Sequence, residues 1–503
     1  MKKIAGYFAI GVCLACLIVA CGRKTDLAVR YEMEKKFNEA DRLQEQFKIK
    51  GPRLSDDDLE ALVEAYEQVT DMVDLPDDSV AVLKASRVLH QTWELALLSF
   101  TRIGALYLDR KEYESSYNNF KIIVDSPAAN LIQRGAAINY LALCRENAKR
   151  YKEAARLYEQ LADSYKRFIQ PQNPNLDALS APVKAAEMWL MLGNTRKYDS
   201  MLDQARTYYN QIRSLHPGTP FESAVLGKIV ATYLRQQKYN RAVTILEDTR
   251  DDSTGLLTSR VLMILADIHM NRTGNYKKAE QTYREFIRHY TDTKEIGRMT
   301  LGLGVSLFEQ QKYSKAREAI KGIKKLPKVS DITVAEAYYL TAICYEKEDR
   351  WEQAIGQFDL VQASFPGTDK AFEAGLHVAN RYRSNGQIKL ASQKFEETAA
   401  YITRFTNPET SNPLMAARAM GYLVRCYTET QDITKVIETL EQLFGLYPLT
   451  PEGRFAPLKL ADIYENEIKD NNKVIKWLTK FIEINPDAGD LDKIKARIQR
   501  LKR

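Results

Sequence analysis

The chain has 503 residues, 28% of them charged, with a formal net charge of +7 at pH 7. That excess is too slight to mark a nucleic-acid-binding protein. The length is ample for an extended array, in which core is buried between neighbouring units rather than in separate globules.

At the amino terminus, Lys2 and Lys3 precede an apolar run from Ile4 to Ala20, which closes on Ile18-Val19-Ala20-Cys21-Gly22. A basic start, an apolar stretch and small residues at the cut make a secretory signal. The run is 17 residues long, at the short limit for a membrane span, and a span does not explain its Ile-Val-Ala-Cys end. That end resembles the lipobox of bacterial lipoproteins. The resemblance implies cleavage after Ala20 and acyl chains such as palmitate on Cys21, whose buried methylenes would hold the protein to a membrane. Gly22 stands where an Asp commonly retains such proteins at the inner membrane, so the same resemblance implies the outer membrane, facing the periplasm.

Residues 21–78 read as a tether and amino-terminal helices. A helix near Leu27–Phe47 carries Tyr31, Phe37, Ala40 and Phe47 near one face, and Lys50-Gly51-Pro52 breaks it. Ser55 then caps a second helix, with Asp56, Asp57 and Asp58 in its first turn, where acids favour the helix start. After Leu75-Pro76-Asp77-Asp78 a further helix is expected from Ser79 to His90, leading into residues 79–489.

There a small residue returns in one register: Ser116, Ala154, Ala205, Ala242, Ala279, Ala316, Ala354, Ala391, Val436 and Val474. Seven of the nine steps are 37 or 38 residues, which marks a repeat array. An aromatic usually stands three residues before, as at Tyr113, Tyr151, Tyr239, Tyr276, Tyr313 and Trp351. A large apolar residue stands four after, as at Phe120, Tyr158, Tyr209, Ile320 and Phe358. Apolar positions with a 3.6-residue period make each unit a pair of helices. The small residue admits a second backbone and the large one fills the next turn. Two stretches rich in Asn and Pro, 169–182 and 404–413, read as insertions. Residues 490–503 read as a capping helix, with Leu491, Ile494, Ile498 and Leu501 in an apolar stripe and a basic face left to solvent.

This register is similar to that of the tetratricopeptide repeat (TPR) family. The fullest motif is Trp189-x2-Leu192-Gly193 followed by Ala205, Tyr209 and Pro217, and Gly104 and Gly304 hold the glycine place elsewhere. The resemblance implies an all-α, right-handed α-α superhelix of about ten helix-turn-helix repeats. Unit starts such as His216-Pro217-Gly218-Thr219, Phe365-Pro366-Gly367-Thr368 and Tyr447-Pro448-Leu449-Thr450 resemble bacterial envelope lipoproteins such as BamD and the TPR partner of the Tol–Pal system.

No catalytic constellation is present: there is no H-E-x-x-H, G-x-S-x-G or G-x(4)-G-K-[ST] motif. The five His residues share no spacing, so neither a metal nor another cofactor is expected, nor enzymatic activity. Cys144, Cys344 and Cys426 each sit ten residues before a small residue. Equivalent places in separate repeats cannot reach disulfide distance, so all three are expected to be buried thiols. In the TPR family the exposed face of each first helix lines a groove. Transferred here, that face includes Asn139, Asn147, Arg235, Asn271, Arg272, Tyr339, Asn380, Arg383 and Arg425. A polar, mostly cationic set implies a partner protein with acidic or carboxylate character. The function expected is a non-catalytic scaffold in the bacterial envelope. The alternative is a glycan-capturing lipoprotein like SusD; no other small-molecule ligand and no nucleic acid is expected.

Overall fold

The computed structural model describes residues 26–50, 55–166, 169, 176–250, 254–255, 257–409, 411–486 and 488–502. The proposed signal, Cys21, Pro171 and Pro174 lie outside them. The described residues form helices and no strand, and none of those helices is long and apolar enough to cross a membrane. The chain divides into two compact units, Met1–Ile245 and Leu246–Arg503.

In the first unit α1 (Asp26–Lys50), α2 (Asp56–Thr70) and α3 (Ser79–Lys84) precede the repeats. Ser55 accepts the amide of Asp58 at 3.1 Å, as the sequence predicts. The helix expected from Ser79 to His90 is interrupted. Ala85 is extended, and Ser86 caps a new helix by accepting the amide of Leu89. The pairs that follow are α4 (Arg87–Asp109) with α5 (Tyr113–Asp125), α6 (Leu131–Asn147) with α7 (Tyr151–Tyr165), and α8 (Leu176–Met191) with α9 (Thr195–Ser214). Then come α10 (Pro220–Arg235) and α11 (Tyr239–Glu247), the latter crossing the unit boundary. The second unit continues with α12 (Ser259–Asp267) and α13 (Tyr276–His289), α14 (Ile296–Glu309) and α15 (Tyr313–Ile320), and α16 (Asp331–Lys347) and α17 (Trp351–Ser364). It ends with α18 (Asp369–Ser384) and α19 (Ile388–Thr403), α20 (Pro413–Glu429) and α21 (Ile433–Leu446), α22 (Pro451–Ile463) and α23 (Asn471–Ile484), and α24 (Leu491–Leu501).

One backbone device builds each of the ten hairpins from α4 to α23. The residue two places before each second helix has positive φ, from 57° to 74°: Lys111, Lys149, Gly193, Gln237, Gly274, Gln311, Asp349, Gly386, Gln431 and Lys469. The next amide donates back to a first-helix carbonyl, as from Lys312 to Leu307 and from Asp432 to Tyr427, each at 2.9 Å. Such a left-handed cap consumes carbonyls that a helix end leaves unpaired. A Cβ is disfavoured in this conformation. Among the described residues the Lys149 side chain makes no ion pair or hydrogen bond, so Lys149→Gly is expected to stabilise the fold by about 0.5–1 kcal/mol. Gly386→Ala is expected to cost about as much, and thermal unfolding of the two variants reads both signs.

The small–large pattern works as the spacing implies. In the first helix a small residue sits nine places before the second helix, as at Gly104, Ala142, Ala186, Gly304, Ala342 and Ala379. A Cβ on Gly104 would lie 2.8 Å from the Phe120 ring, and one on Gly304 only 2.5 Å from Ile320. Ser116, the small residue opposite, donates to the carbonyl of Gly104 at 2.8 Å. The large residues Phe120, Tyr158, Ile320, Phe358, Phe395, Leu440 and Leu478 are all buried. In two units a π turn, Ile268–Arg272 or Tyr464–Ile468, adds one residue before the hairpin.

The unit chosen as the fullest motif is read out of register. Gly193 is the left-handed turn residue, not a first-helix glycine, and Ala186 holds the close-approach place. The second helix starts at Thr195, so Tyr198 occupies the place assigned to Ala205. Helix α9 is 20 residues long. Its buried residues Leu202, Ala205 and Tyr209 share a stripe because seven residues make about two turns. A second correction concerns 169–182. Pro182 lies inside α8 and is buried. Its missing amide leaves the carbonyl of Ala178 without the helical donor, and the Tyr208 hydroxyl donates there at 3.1 Å. At the later insertion, Asn412 caps α20 and Pro413 stands at the first position of that helix. In α24, Ile494 is buried, with Ile498 and Leu501 packed beside the same core. Arg497 departs from the solvated basic face by pairing with Asp462 at 2.9 Å and with Glu465.

Candidate interaction surface

Threonine caps set the entry of three first helices. Thr219, Thr368 and Thr450 accept the amides of Glu222, Ala371 and Gly453, and each hydroxyl donates to the carbonyl three residues before it. Capped in this way, successive first helices within a unit present polar side chains to one another.

In the second unit α16, α18 and α20 form such a row. Arg418 reaches Asp369 at 3.1 Å and the Tyr422 hydroxyl donates to Glu373 at 3.1 Å, both from α20 to α18. From α18, His377 meets Glu346 of α16 at 2.6 Å, and Arg381 lies 3.4 Å from the same carboxylate. Burial acts to raise the Glu346 pKa, but the hydrogen bond and charge of His377, with Arg381, hold it below the ordinary carboxylate value. Tyr339 is half-buried beneath this row, with its ring 5.3 Å from Phe358 and 6.1 Å from His377, and Lys370 lies over its face at 4.8 Å. Burial, then Glu373 and Glu346, raise its phenol pKa.

The other groove residues are placed as follows. Arg235, in the first unit, pairs with Glu187 at 3.1 Å. Asn271 donates to Asp267 at 2.8 Å and lines a cleft of about 300 Å³ with Met270, Tyr283 and Arg298. Arg272 lies 4.0 Å from Asp267. Asn380 accepts from Arg383, whose guanidinium also pairs with Glu429 at 2.5 Å. Asn147 donates to the carbonyl of Leu143, and the Asn139 Oδ1 is buried with no hydrogen-bond donor among the described residues. Arg425 is exposed, 5.3 Å above the Tyr422 ring, with no carboxylate partner among the described residues. The set is therefore less cationic than its sequence implies, because Arg235, Arg272 and Arg383 each have an acid beside them.

The partners Glu187, Glu346, Glu373, His377 and Tyr422 escape the sequence reading. A signal for the last two exists in the corrected register: His377 and Tyr422 stand eleven residues before their second helices, as do Arg102, Tyr140, Lys184 and Lys228. Cys144, Cys344 and Cys426 are free and buried as expected, and burial pushes the Cys344 and Cys426 thiols up to about 12.

Comparison with known proteins gives matches to two tetratricopeptide repeat family models. One matches residues 229–293 and 272–328, the other 139–167 and 336–368. No curated protein sequence gives a significant match. Among solved structures, a tetratricopeptide repeat protein from Parabacteroides merdae is 16% identical, covers 53% of this chain and 92% of its own, and has a TM-score of 0.30. The C-terminal part of a TPR repeat-containing protein from Cytophaga hutchinsonii is 13% identical over 62% of this chain and 98% of its own, at a TM-score of 0.29. The Naa15/Naa10 complex bound to HypK-THB is 14% identical over 94% of this chain and 66% of its own, at 0.34. Likenesses at these scores carry no functional argument.

Proposed function

We propose that this tetratricopeptide-repeat protein is a non-catalytic scaffold of the bacterial envelope, held to a membrane by lipid on Cys21 and binding other proteins along its first-helix faces. The observation that carries the reading is the ladder of polar and aromatic side chains on α16, α18 and α20, in which Tyr339 and Tyr422 are held half-buried by their neighbours and Arg425 is exposed above the Tyr422 ring. An array of capped hairpins repeats one such face at each unit, so an extended segment can touch several units at once. The lipobox resemblance at Ile18–Cys21 supports the membrane address, and Gly22 supports its outer-membrane form.

A photo-crosslinking residue placed at Asn380 or Arg425 in intact cells is expected to yield discrete protein adducts. The same probe at Lys389 or Glu396, exposed on the second helix α19, is expected to yield none. Equal adducts at both faces would remove the face-specific reading. In the same cells Cys21→Ala should give a soluble or uncleaved product; normal processing with membrane retention refutes lipid anchoring.

A further inference from the structure

Helices α1, α2 and α4 pack together, and one end of that packing carries apolar side chains the core does not use. Helices α1 and α4 run side by side in the same direction. Arg30 donates to Gln91, and eleven residues on in both helices Arg102 lies 3.5 Å from Asp41. Helix α2 runs back along α1, with Lys36 donating to Gln68 at 2.7 Å and the Phe37 ring 5.8 Å from that of Tyr66. The start of α1, the end of α2 and the start of α4 therefore share one end, and α3 lies there, between the last two in the chain.

Four large apolar residues are exposed at that end: Leu27 at 63% and Tyr31 at 66% on α1, and Val80 at 52% and Leu83 at 85% on α3. Spacings of four and of three residues put each pair on one helix face. Helix α3 buries no residue, so packing does not ask for apolar side chains in it. Asp78, the acid nearest Val80, is turned to the backbone and accepts the Ala81 amide at 2.7 Å, while Lys84 and Arg87 are exposed. Single exposed leucines are ordinary on a protein surface; two pairs gathered at one end mark a contact surface. The chain itself says what covers it. Only Gly22 to Thr25 separate Cys21 from Asp26, a link of at most about 18 Å when extended. Acyl chains on Cys21 therefore keep this end within short reach of the bilayer. There leucine and valine gain by leaving water, tyrosine settles at headgroup level, and Lys84 and Arg87 can meet lipid phosphates.

We propose that the start of α1 together with α3 is a membrane-contact surface, whose Leu27, Tyr31, Val80 and Leu83 enter the interface of a phospholipid bilayer. It rests on the lipid-anchor reading and goes beyond it. Acyl chains alone leave a protein free to turn on its tether; this surface fixes which end of α4 faces the lipid.

The test uses the full chain, expressed with its leader, purified from membranes and returned to vesicles of phosphatidylethanolamine and phosphatidylglycerol. A Leu83→Cys variant carries an NBD fluorophore; the thiols of Cys144, Cys344 and Cys426 are buried and do not compete for the label. An Asp109→Cys variant carries the same label at the far end of α4, about 33 Å along that 23-residue helix. Both positions are exposed, so neither substitution should unfold the chain. Emission from the Leu83 site is expected to shift to the blue and to lose intensity when doxyl-labelled lipid is included; emission from the Asp109 site should do neither. Water-like emission from both sites overturns the surface. So does a blue shift at the Leu83 site that doxyl lipid does not quench and that grows with protein density, which would mark a second copy of the chain there. Adding Leu27→Asp and Val80→Asp should abolish the quenching; quenching unchanged would show that the tether alone brings the site to lipid, and overturns the surface too. Mass spectrometry of the amino-terminal peptide separates the two readings. Lipid on Cys21 with a water-like label at the Leu83 site removes the surface and leaves the anchor; an unmodified Cys21 removes both.

Discussion

Replacing Phe358 by Ala is expected to destabilise the second unit by about 3–5 kcal/mol, the range for emptying a fully buried aromatic site. Phe358 is 1% exposed and stands four residues after Ala354 in α17. It packs among Ala342, Val361, Ala374 and Val378, residues too small to collapse into the space it would leave. It also carries the candidate surface. The Tyr339 ring lies 5.3 Å away and the His377 ring 4.9 Å away, so the first-helix face rests directly on this side chain. A cavity there should loosen the His377–Glu346 contact along with the core. Because a repeat array is stabilised by each unit and its nearest neighbours, the loss should be local. Hydrogen exchange is the suitable readout: amides of α16 to α18 should lose protection while those of α4 to α7 keep theirs. A uniform loss across both units would show that the array unfolds as one body, and a loss under about 1 kcal/mol would show that the site repacks.

The repeat was legible because its cause is local. The small residue, the large one four places on and the aromatic at the helix start follow from two helices packing at close range, and nine of the ten small residues stand at the predicted place. The exception has the same origin. In α9 the apolar stripe continues for two further turns, so Ala205, Tyr209 and Pro217 imitate the motif seven residues late on the same face. Pro182 misled for a different reason. A proline normally ends or kinks a helix, and the Tyr208 hydroxyl that tolerates this one comes from 26 residues later in the chain. Side-chain partners were the least legible part. The acids opposite Arg235 and Arg383 come from the neighbouring first helix, 48 and 46 residues away. Those separations depend on loop and second-helix lengths that vary from unit to unit, so no fixed spacing announces them.

Gly453→Ala should cost about 2–4 kcal/mol, while Gly445→Ala, a few residues away, should stabilise by about 0.5–1 kcal/mol. Both glycines are helical, so propensity alone favours alanine at each. Space decides between them. A Cβ on Gly445 meets nothing within 4 Å, whereas one on Gly453 would stand 1.9 Å from the carbonyl oxygen of Tyr447. That oxygen cannot swing aside freely. It accepts the Thr450 hydroxyl at 2.8 Å and the Thr450 amide at 3.2 Å, and Thr450 in turn accepts the Gly453 amide at 3.1 Å. Relieving the clash therefore means opening the cap that starts α22, adding the loss of a threonine cap to the overpacking. Thr219 and Thr368 close their helices in the same way, but Glu222 and Ala371 stand where Gly453 does, so those entries already accommodate a Cβ. Thermal unfolding of the two variants, with hydrogen exchange over α21 to α23, reads the contrast. If both substitutions stabilise, the Tyr447 carbonyl yields without breaking its bonds, and the Thr450 cap does not fix the direction in which α22 enters the row of first helices.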